Sequence, residues 1–198
     1  MVCFDTTASM DDIIGALVRQ TQAFVSEAAT LGFGIRWGLV AFGDIRVAGD
    51  KIVRYPFTDD KDKFKAALKE MPRFSGGGNT GETCLDALGV VASHKGWRQS
   101  APHLCVLLTD EPPVGVNVDL EAVGKQLRQN RIVTLCVAPD HKAYRWLAQV
   151  TGGSWWSIDE PIPYDQMLSV VAKRVAAIAG KMLPTLHSGD GGTKPSGS

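Results

Sequence analysis

Two short apolar segments in the second half of the chain constrain the fold most strongly. Residues 104–108 and 132–137 are apolar except for one threonine, which is typical of strands in a parallel sheet that is covered on both faces. Between them, residues 119–129 show the apolar spacing of an amphipathic helix. The order strand, helix, strand predicts two parallel neighbours joined by a crossover helix.

The same alternation of strands and helices extends along the chain. Further strands are predicted at residues 2–4, 37–42, 51–57 and 154–158, and further helices at about 10–31, 59–71, 82–94, 143–150 and 164–182. A hairpin through residues 44–50 is expected to join the second and third strands. The predicted fold class is therefore α/β, with a doubly wound, mostly parallel sheet of six strands and helices on both faces.

The length of the chain limits the number of domains. A chain of 198 residues with 44% hydrophobic residues can bury one core, so we expect a single domain at residues 1–184. Residues 185–198 are rich in glycine, serine and threonine and are predicted to form a flexible tail.

The charge balance argues against nucleic acid and membrane partners. Lysine plus arginine and aspartate plus glutamate both number 21, so no overall basic field would attract nucleic acid or an anionic membrane. No apolar run reaches the roughly eighteen residues that would span a bilayer, and the amino terminus has no signal-type pattern. We therefore expect a soluble, cytoplasmic protein that binds no nucleic acid and inserts into no membrane.

The four cysteines indicate buried thiols. Cys3, Cys105 and Cys136 fall inside predicted strands, and Cys84 falls in the first turn of a predicted helix. Their spacings match neither a zinc site nor a disulfide framework. Buried free thiols pack as small apolar side chains, and their presence agrees with a reducing compartment.

Oxygen-bearing side chains stand in three loops of the predicted sheet. Asp5, Thr7 and Ser9 follow the first strand at alternate positions, Thr80 follows a run of glycines, and Asp110 follows the strand 104–108. Ligands of doubly wound folds bind at the carboxyl ends of strands where the strand order reverses. Carboxylate and hydroxyl oxygens are the ligands that hard cations prefer. The sequence therefore predicts a hard-metal site at this edge.

These segments, in this order, resemble the von Willebrand factor A domain and its metal-ion-dependent adhesion site. The family pattern is Asp-x-Ser-x-Ser, then a threonine, then an aspartate, and it maps onto Asp5, Thr7, Ser9, Thr80 and Asp110. Thr7 replaces the commoner serine but keeps the hydroxyl. DTTASM, GGGNTGE and LLTDEPP look most like the branch that reads DTTGSM, GGGD-x-PE and TDAPP. The resemblance spans roughly residues 2–179 and implies the strand order 3-2-1-4-5-6.

The resemblance also implies a function and a cofactor. A magnesium ion, with manganese or calcium as alternatives, would be held directly by Ser9 and Thr7. Asp5, Thr80 and Asp110 would bind it directly or through water. The remaining position of the octahedral ion would accept a carboxylate from a partner protein. On this interpretation the chain is a protein-binding module with no catalytic residues, and it is not an enzyme.

Two other functions stay open at this point. A magnesium-dependent phosphatase of the haloacid dehalogenase type also carries an aspartate after its first strand. That chemistry requires a second aspartate two residues later, where this chain has Thr7. A scaffold domain with an unoccupied site would be favoured by the loss of a ligand, yet all five mapped positions keep oxygen-bearing side chains.

Two local features allow a second interpretation. Ser9 also fits the N-cap of the first helix, with Asp12 as the partner of a capping box, and we expect it to serve as both cap and ligand. Trp155 and Trp156 would form an exposed docking patch if both faced solvent. Adjacent aromatics in a last strand more often contact the core on one face and a helix on the other.

Overall fold

The structure, a computed structural model, describes residues 1–30, 32, 34–78, 81–161 and 166–167. Within these residues, one sheet is flanked by five α-helices. Its strands are β1 (Val2–Asp5), β2 (Trp37–Phe42), β3 (Ile52–Thr58), β4 (His103–Leu108), β5 (Ile132–Val137) and β6 (Ser154–Trp156). The helices are α1 (Asp11–Thr30), α2 (Lys61–Lys69), α3 (Cys84–Ala92), α4 (Leu120–Gln129) and α5 (Lys142–Thr151). A short 3₁₀ helix, Ala8–Met10, connects β1 to α1.

The strand order of the sheet is β3-β2-β1-β4-β5-β6, which confirms the predicted fold class. β3 runs antiparallel to β2, and every other neighbouring pair is parallel. β1 is central, with Phe4 opposite Ala41 of β2 on one side and opposite Leu108 of β4 on the other. Because β1 and β4 are parallel neighbours, the loops that carry Thr7 and Asp110 leave the sheet side by side.

Alternate side chains of each strand enter two separate cores, one on each face of the sheet. Phe4 of β1 packs on one face, where α1 and α2 contribute Ile14 and Phe64. Cys3 packs on the other face, where α3 contributes Leu88. Each fully buried side chain of this size contributes about 1.5–3 kcal/mol. The loops at the carboxyl edge therefore start from strands that are fixed on both faces.

The cysteines and the paired tryptophans lie as predicted. All four cysteines are buried free thiols, and all belong to the core on the face covered by α3, α4 and α5. Trp155 packs against that same core, whereas Trp156 packs against the core on the opposite face. The two tryptophans therefore pack into the cores on opposite faces of the sheet and do not form an exposed patch.

Aspartates set the beginnings of two helices. The Asp60 carboxylate accepts hydrogen bonds from the backbone N–H groups of Asp62 and Lys63 at the start of α2. The Asp119 carboxylate accepts one from Ala122 at the start of α4. Such caps satisfy N–H groups that have no partner within the helix. The sequence pattern placed both starts one or two residues early because the capping residue itself was counted as helical.

The prediction that Ser9 caps the first helix is wrong. Ser9 lies inside the 3₁₀ helix Ala8–Met10, which runs without interruption into α1. The chain is already helical at this position, so the serine is not the residue that precedes the first turn. Its hydroxyl contacts Thr7 and Asp110 instead.

Part of the sequence prediction lies outside the described residues. This holds for the predicted helix 164–182, apart from residues 166–167, and for the predicted tail 185–198. No helix in the described part of the chain combines the length and the apolar character needed to cross a bilayer.

Candidate metal centre

Asp5 is the last residue of β1, and its side chain is fully buried. Its Oδ1 accepts hydrogen bonds from the backbone N–H of Thr7, at 3.0 Å, and from Thr7 Oγ1, at 2.7 Å. Its Oδ2 accepts a hydrogen bond from Thr109 Oγ1 at 2.6 Å. An aspartate that binds the backbone N–H two residues later forms a local turn. Asp5 therefore shapes the turn between β1 and α1 and is oriented by β4 as well.

A row of hydroxyl groups connects Asp5 to Asp110. Thr7 Oγ1 lies 3.0 Å from Ser9 Oγ, and Ser9 Oγ donates to Asp110 Oδ1 at 3.0 Å. Thr7 is buried, Ser9 is exposed, and Asp110 is half-buried, so the row runs from the interior to the surface. The fold thus brings together four of the five residues that the sequence singled out. The fifth, Thr80, lies outside the described residues.

The glycine run packs directly against this row. Gly76 has a φ of +75°, and a methyl group added to it would lie 3.1 Å from Thr7 Cβ and 2.8 Å from Glu82 Oε1. Only glycine adopts this backbone conformation without strain, and the space beside it is already filled. The glycine therefore lets the loop approach the candidate site closely.

The two aspartates are poorly solvated. Burial raises the pKa of Asp5 to about 6, against the lowering effect of its hydrogen bonds from Thr109 and Thr7, and the charge of Asp110 adds to the rise. Burial also raises the pKa of Asp110, although its hydrogen bond from Ser9 opposes this. Both carboxylates would be stabilised in their charged form by a nearby cation.

Two further residues of the site were not assigned a role from sequence. Thr109 donates to Asp5, and Glu82 is 2% exposed at the beginning of the α3 segment. Burial, followed by the charge of Asp5, raises the pKa of Glu82 to about 8. Thr109 lies in the motif segment LLTDEPP and Glu82 lies in GGGNTGE. Their closeness in sequence to Asp110 and Thr80 was therefore the only signal that could have indicated a role at the site.

Asp50, in the hairpin between β2 and β3, also holds the glycine run in place. The Asp50 carboxylate accepts hydrogen bonds from the backbone N–H groups of Asp44, Ser75 and Gly76, at 2.9–3.1 Å. Asp44 is itself buried and makes a two-pronged ion pair with Arg46. Such paired hydrogen bonds fix geometry as well as charge. The loop before Thr80 is therefore anchored to the β2–β3 hairpin.

The loop that carries Asp110 is tied to the beginning of α3. The backbone N–H of Glu82 donates to the carbonyl of Pro112 at 3.0 Å, and Val114 N–H donates back to the Glu82 carbonyl at 2.9 Å. Tyr144 Oη of α5 donates to the carbonyl of Glu111 at 2.6 Å. These bonds couple the second and third motif segments through their backbones.

The oxygen atoms that could serve as metal ligands suit a hard cation. Asp5, Thr7, Ser9 and Asp110 offer only carboxylate and hydroxyl oxygens, which suit magnesium, manganese or calcium better than softer metals. In the part of the chain that the structure describes, no group of three or more histidine, cysteine, aspartate or glutamate side chains is placed to hold a metal. A cation here would therefore depend on hydroxyl ligands as well as on carboxylates.

Comparison with known families assigns the fold. The family model of the von Willebrand factor type A domain matches residues 1–154. The chain belongs to the von Willebrand factor A (vWA) family. Domains of this family generally mediate protein–protein interactions. The likeness of this vWA domain to the DTTGSM branch stays a prediction.

A solved structure supports the same fold. It is described as von Willebrand factor type A from Catenulispora acidiphila, and it matches with a TM-score of 0.63 and 18% sequence identity. The match covers 88% of this vWA domain and 42% of the other chain. At this identity the likeness concerns the fold alone. Among curated protein sequences, none matches the chain significantly.

Proposed function

We propose that this vWA domain is a protein-binding module that acts through a metal-ion-dependent adhesion site. Asp5, Thr7, Ser9, Thr80 and Asp110 would hold a magnesium ion, with manganese and calcium as alternatives. The ion would accept a carboxylate from the partner protein. The chief support is the row of hydroxyls that connects Asp5 to Asp110 at the carboxyl edge of the sheet.

The charges around the site favour both the cation and an acidic partner. Asp5 and Asp110 are two carboxylates that burial makes costly to ionise. A divalent ion would balance both charges, while Thr7 and Ser9 would add neutral oxygens. These four groups would leave coordination positions of the ion unfilled, and a carboxylate from a partner could replace a water molecule there.

The metal is tested by thermal unfolding with magnesium and with chelator. Magnesium should raise the melting temperature of the wild-type protein because binding to the folded state adds RT ln(1 + [Mg]/Kd) to its stability, about 2.7 kcal/mol at a hundredfold excess over Kd. Asp110→Asn should lose most of this gain, since the amide carries no charge to offer the ion.

Asp12→Asn is a matched control. Asp12 is an exposed aspartate in the first turn of α1, so its replacement removes one charge near the same edge without removing a proposed ligand. The control should keep the magnesium-dependent gain. If Asp110→Asn keeps it too, Asp110 is not a ligand and the mapping fails.

The proposed partner is tested by using this vWA domain to capture binding proteins in the presence of magnesium or of chelator. Calorimetry then measures the affinity of the domain for the recovered protein. Binding should require the metal, and Thr80→Ala should weaken it more than it lowers the melting temperature, because the lost hydroxyl acts only at the site. Affinity that is indifferent to chelation would contradict the proposal.

In a parallel phosphatase screen, magnesium-dependent turnover that Asp5→Asn abolishes would favour an enzyme.

A further inference from the structure

Glu82 is a buried carboxylate whose hydrogen bonds are incomplete. Its Oε1 accepts a weak hydrogen bond from the backbone N–H of Gly77 at 3.3 Å. Its Oε2 is buried and has no hydrogen-bond partner among the described residues. Leaving a buried acceptor of this kind unpaired costs about 1–3 kcal/mol, and more if it is charged. Within the described residues this oxygen therefore accepts no hydrogen bond, which leaves it free to accept one from a bound ligand.

The position of Glu82 is fixed beside the candidate metal centre. Its backbone N–H and carbonyl pair with Pro112 and Val114, in the loop that follows Asp110. The side chains of Glu82 and Thr7 both border the space beside the Cα of Gly76. The charge of Asp5 acts on Glu82 more strongly than that of any other acidic group. The Glu82 carboxyl group therefore lies beside Thr7, one of the proposed ligands, and the backbone hydrogen bonds of Glu82 hold it there.

Direct coordination by three carboxylates does not account for this arrangement. Within the described part of the chain, Asp5, Asp110 and Glu82 do not converge as a group that could hold an ion by themselves. A magnesium ion, however, usually keeps several of its water molecules. Those waters donate hydrogen bonds, and a nearby buried carboxylate is a strong acceptor for them.

We propose that Glu82 is an outer-sphere positioning residue of the metal centre, with Oε2 accepting a hydrogen bond from a water molecule bound to the cation. The inference rests on the proposed function, because it requires a cation at Asp5, Thr7, Ser9 and Asp110. Glu82 would thereby orient the hydrated ion from the segment between the glycine run and α3. Replacing such outer-sphere groups typically weakens metal affinity by about 10–100-fold.

Glu82→Gln is the most informative variant. The amide keeps the size of the side chain and keeps a carbonyl oxygen that can accept from Gly77 N–H. It removes the charge that a metal-bound water would favour. The matched control is Glu111→Gln, which removes a carboxylate from the same edge of the sheet. Glu111 is partly exposed, and its contact with Tyr144 uses the backbone carbonyl and not the side chain.

The experiment measures the Kd for magnesium by calorimetry and the melting temperature in chelator for wild type and both variants. Glu82→Gln should raise the Kd by about tenfold or more, while its melting temperature in chelator stays equal to that of wild type or rises. A residue with a purely structural role would instead lower the melting temperature in chelator and leave the Kd unchanged. Glu111→Gln should keep a Kd close to that of wild type.

The outcomes separate the two proposals. If wild type binds no divalent cation, the proposed function fails. If wild type binds magnesium and Glu82→Gln binds it equally well, the role of Glu82 is overturned while the metal site stands. Equal weakening by Glu82→Gln and Glu111→Gln indicates a general charge effect and also overturns the role of Glu82.

A second variant covers the case in which Glu82→Gln does not fold. Glu82→Asp keeps the charge and withdraws the carboxylate by one methylene group. It should also weaken magnesium binding, because the acceptor no longer reaches the same water. A Kd equal to that of wild type in this variant overturns the proposal.

Discussion

At Asp5, hydrogen bonds from two different strand ends fix one carboxylate before any ligand arrives. Thr7 binds Oδ1 from the turn after β1, and Thr109 binds Oδ2 from the end of β4. A buried carboxylate that is already oriented loses little conformational freedom when a cation binds. The threonine hydroxyls therefore matter for the site even where they are not ligands themselves.

Thr109→Val tests this orienting role. The valine keeps the shape of the side chain but leaves the buried Asp5 Oδ2 without its donor, so the free energy of unfolding should fall by about 1–3 kcal/mol. The measurement is urea denaturation in the presence of chelator.

Thr134→Val provides the comparison. Thr134 in β5 is equally buried, but its Oγ1 has no hydrogen-bond partner among the described residues. Its replacement should be neutral or stabilising, because no hydrogen bond is lost. Equal losses in the two variants would show that the Thr109 hydroxyl contributes no more than its packing.

The proximity of Asp5, Thr7, Ser9 and Asp110 could be predicted because it depends on spacing along the chain and on strand ends. The roles of Thr109 and Glu82 could not be predicted in this way. Thr109 reaches Asp5 only because β4 pairs with β1, and Glu82 lies beside Asp5 only because its backbone pairs with the loop after Asp110. Such contacts have no periodic signal in the sequence.

At the level of elements, a buried aspartate of α3 shapes the loop that follows Asp110. Asp86 is 6% exposed, and its carboxylate accepts hydrogen bonds from Val116 N–H at 2.7 Å, Asn117 N–H at 2.8 Å and Asn117 Nδ2 at 2.9 Å. Helix α3 and this loop are therefore joined by side-chain contacts in addition to the backbone pairing at Glu82.

Asp86→Asn should release this loop. The asparagine has an NH₂ group in place of one carboxylate oxygen, so this group would face an N–H of the loop and one hydrogen bond would be lost. The free energy of unfolding should therefore fall by about 1–3 kcal/mol. Hydrogen exchange of the amides of Val116 and Asn117 should rise more than that of the strands. Urea denaturation and hydrogen exchange together measure both effects.

Asp62→Asn is the control, because Asp62 is an exposed aspartate in the first turn of α2. Its replacement should leave the loop 115–118 protected. If Asp86→Asn leaves the exchange of that loop unchanged, the three hydrogen bonds do not determine its conformation.

The element order was predictable for a physical reason. Strands buried on both faces must be apolar throughout, and helices that cover them must be apolar on one side, so the two patterns differ. The turn at Ser9 was not predictable, because a serine before a helix gives the same local pattern whether it precedes a 3₁₀ helix or lies within one. The choice depends on the contacts of Ser9 with Thr7 and Asp110.

On the scale of the whole molecule, the four thiols report on the integrity of one core. Burial raises the pKa of Cys84 and Cys105 to about 12, and it raises the pKa of Cys3 and of Cys136 well above the ordinary value of a thiol. Each thiol is fully buried on the face covered by α3, α4 and α5. Because thiolate character and access govern reactivity, the native protein should protect all four.

A thiol reagent should therefore react with these cysteines only as the molecule unfolds. The measurement follows modification in buffer and across a urea transition, with the loss of native fluorescence as the reference. The four thiols should become reactive over the same urea range as the fluorescence change. Rapid modification without denaturant would contradict the burial of this core.

The contact between Thr109 and Asp5 joins residues 104 positions apart. Closing so long a loop carries a large entropic cost, which contacts across β1 and β4 must offset during folding. A cation that needs both strand ends has no complete binding site in a chain where β1 and β4 have not yet paired. Interactions that are absent from the transition state slow unfolding and leave the folding rate unchanged. A metal bound at this junction would accordingly lengthen the lifetime of the native state without hastening its formation.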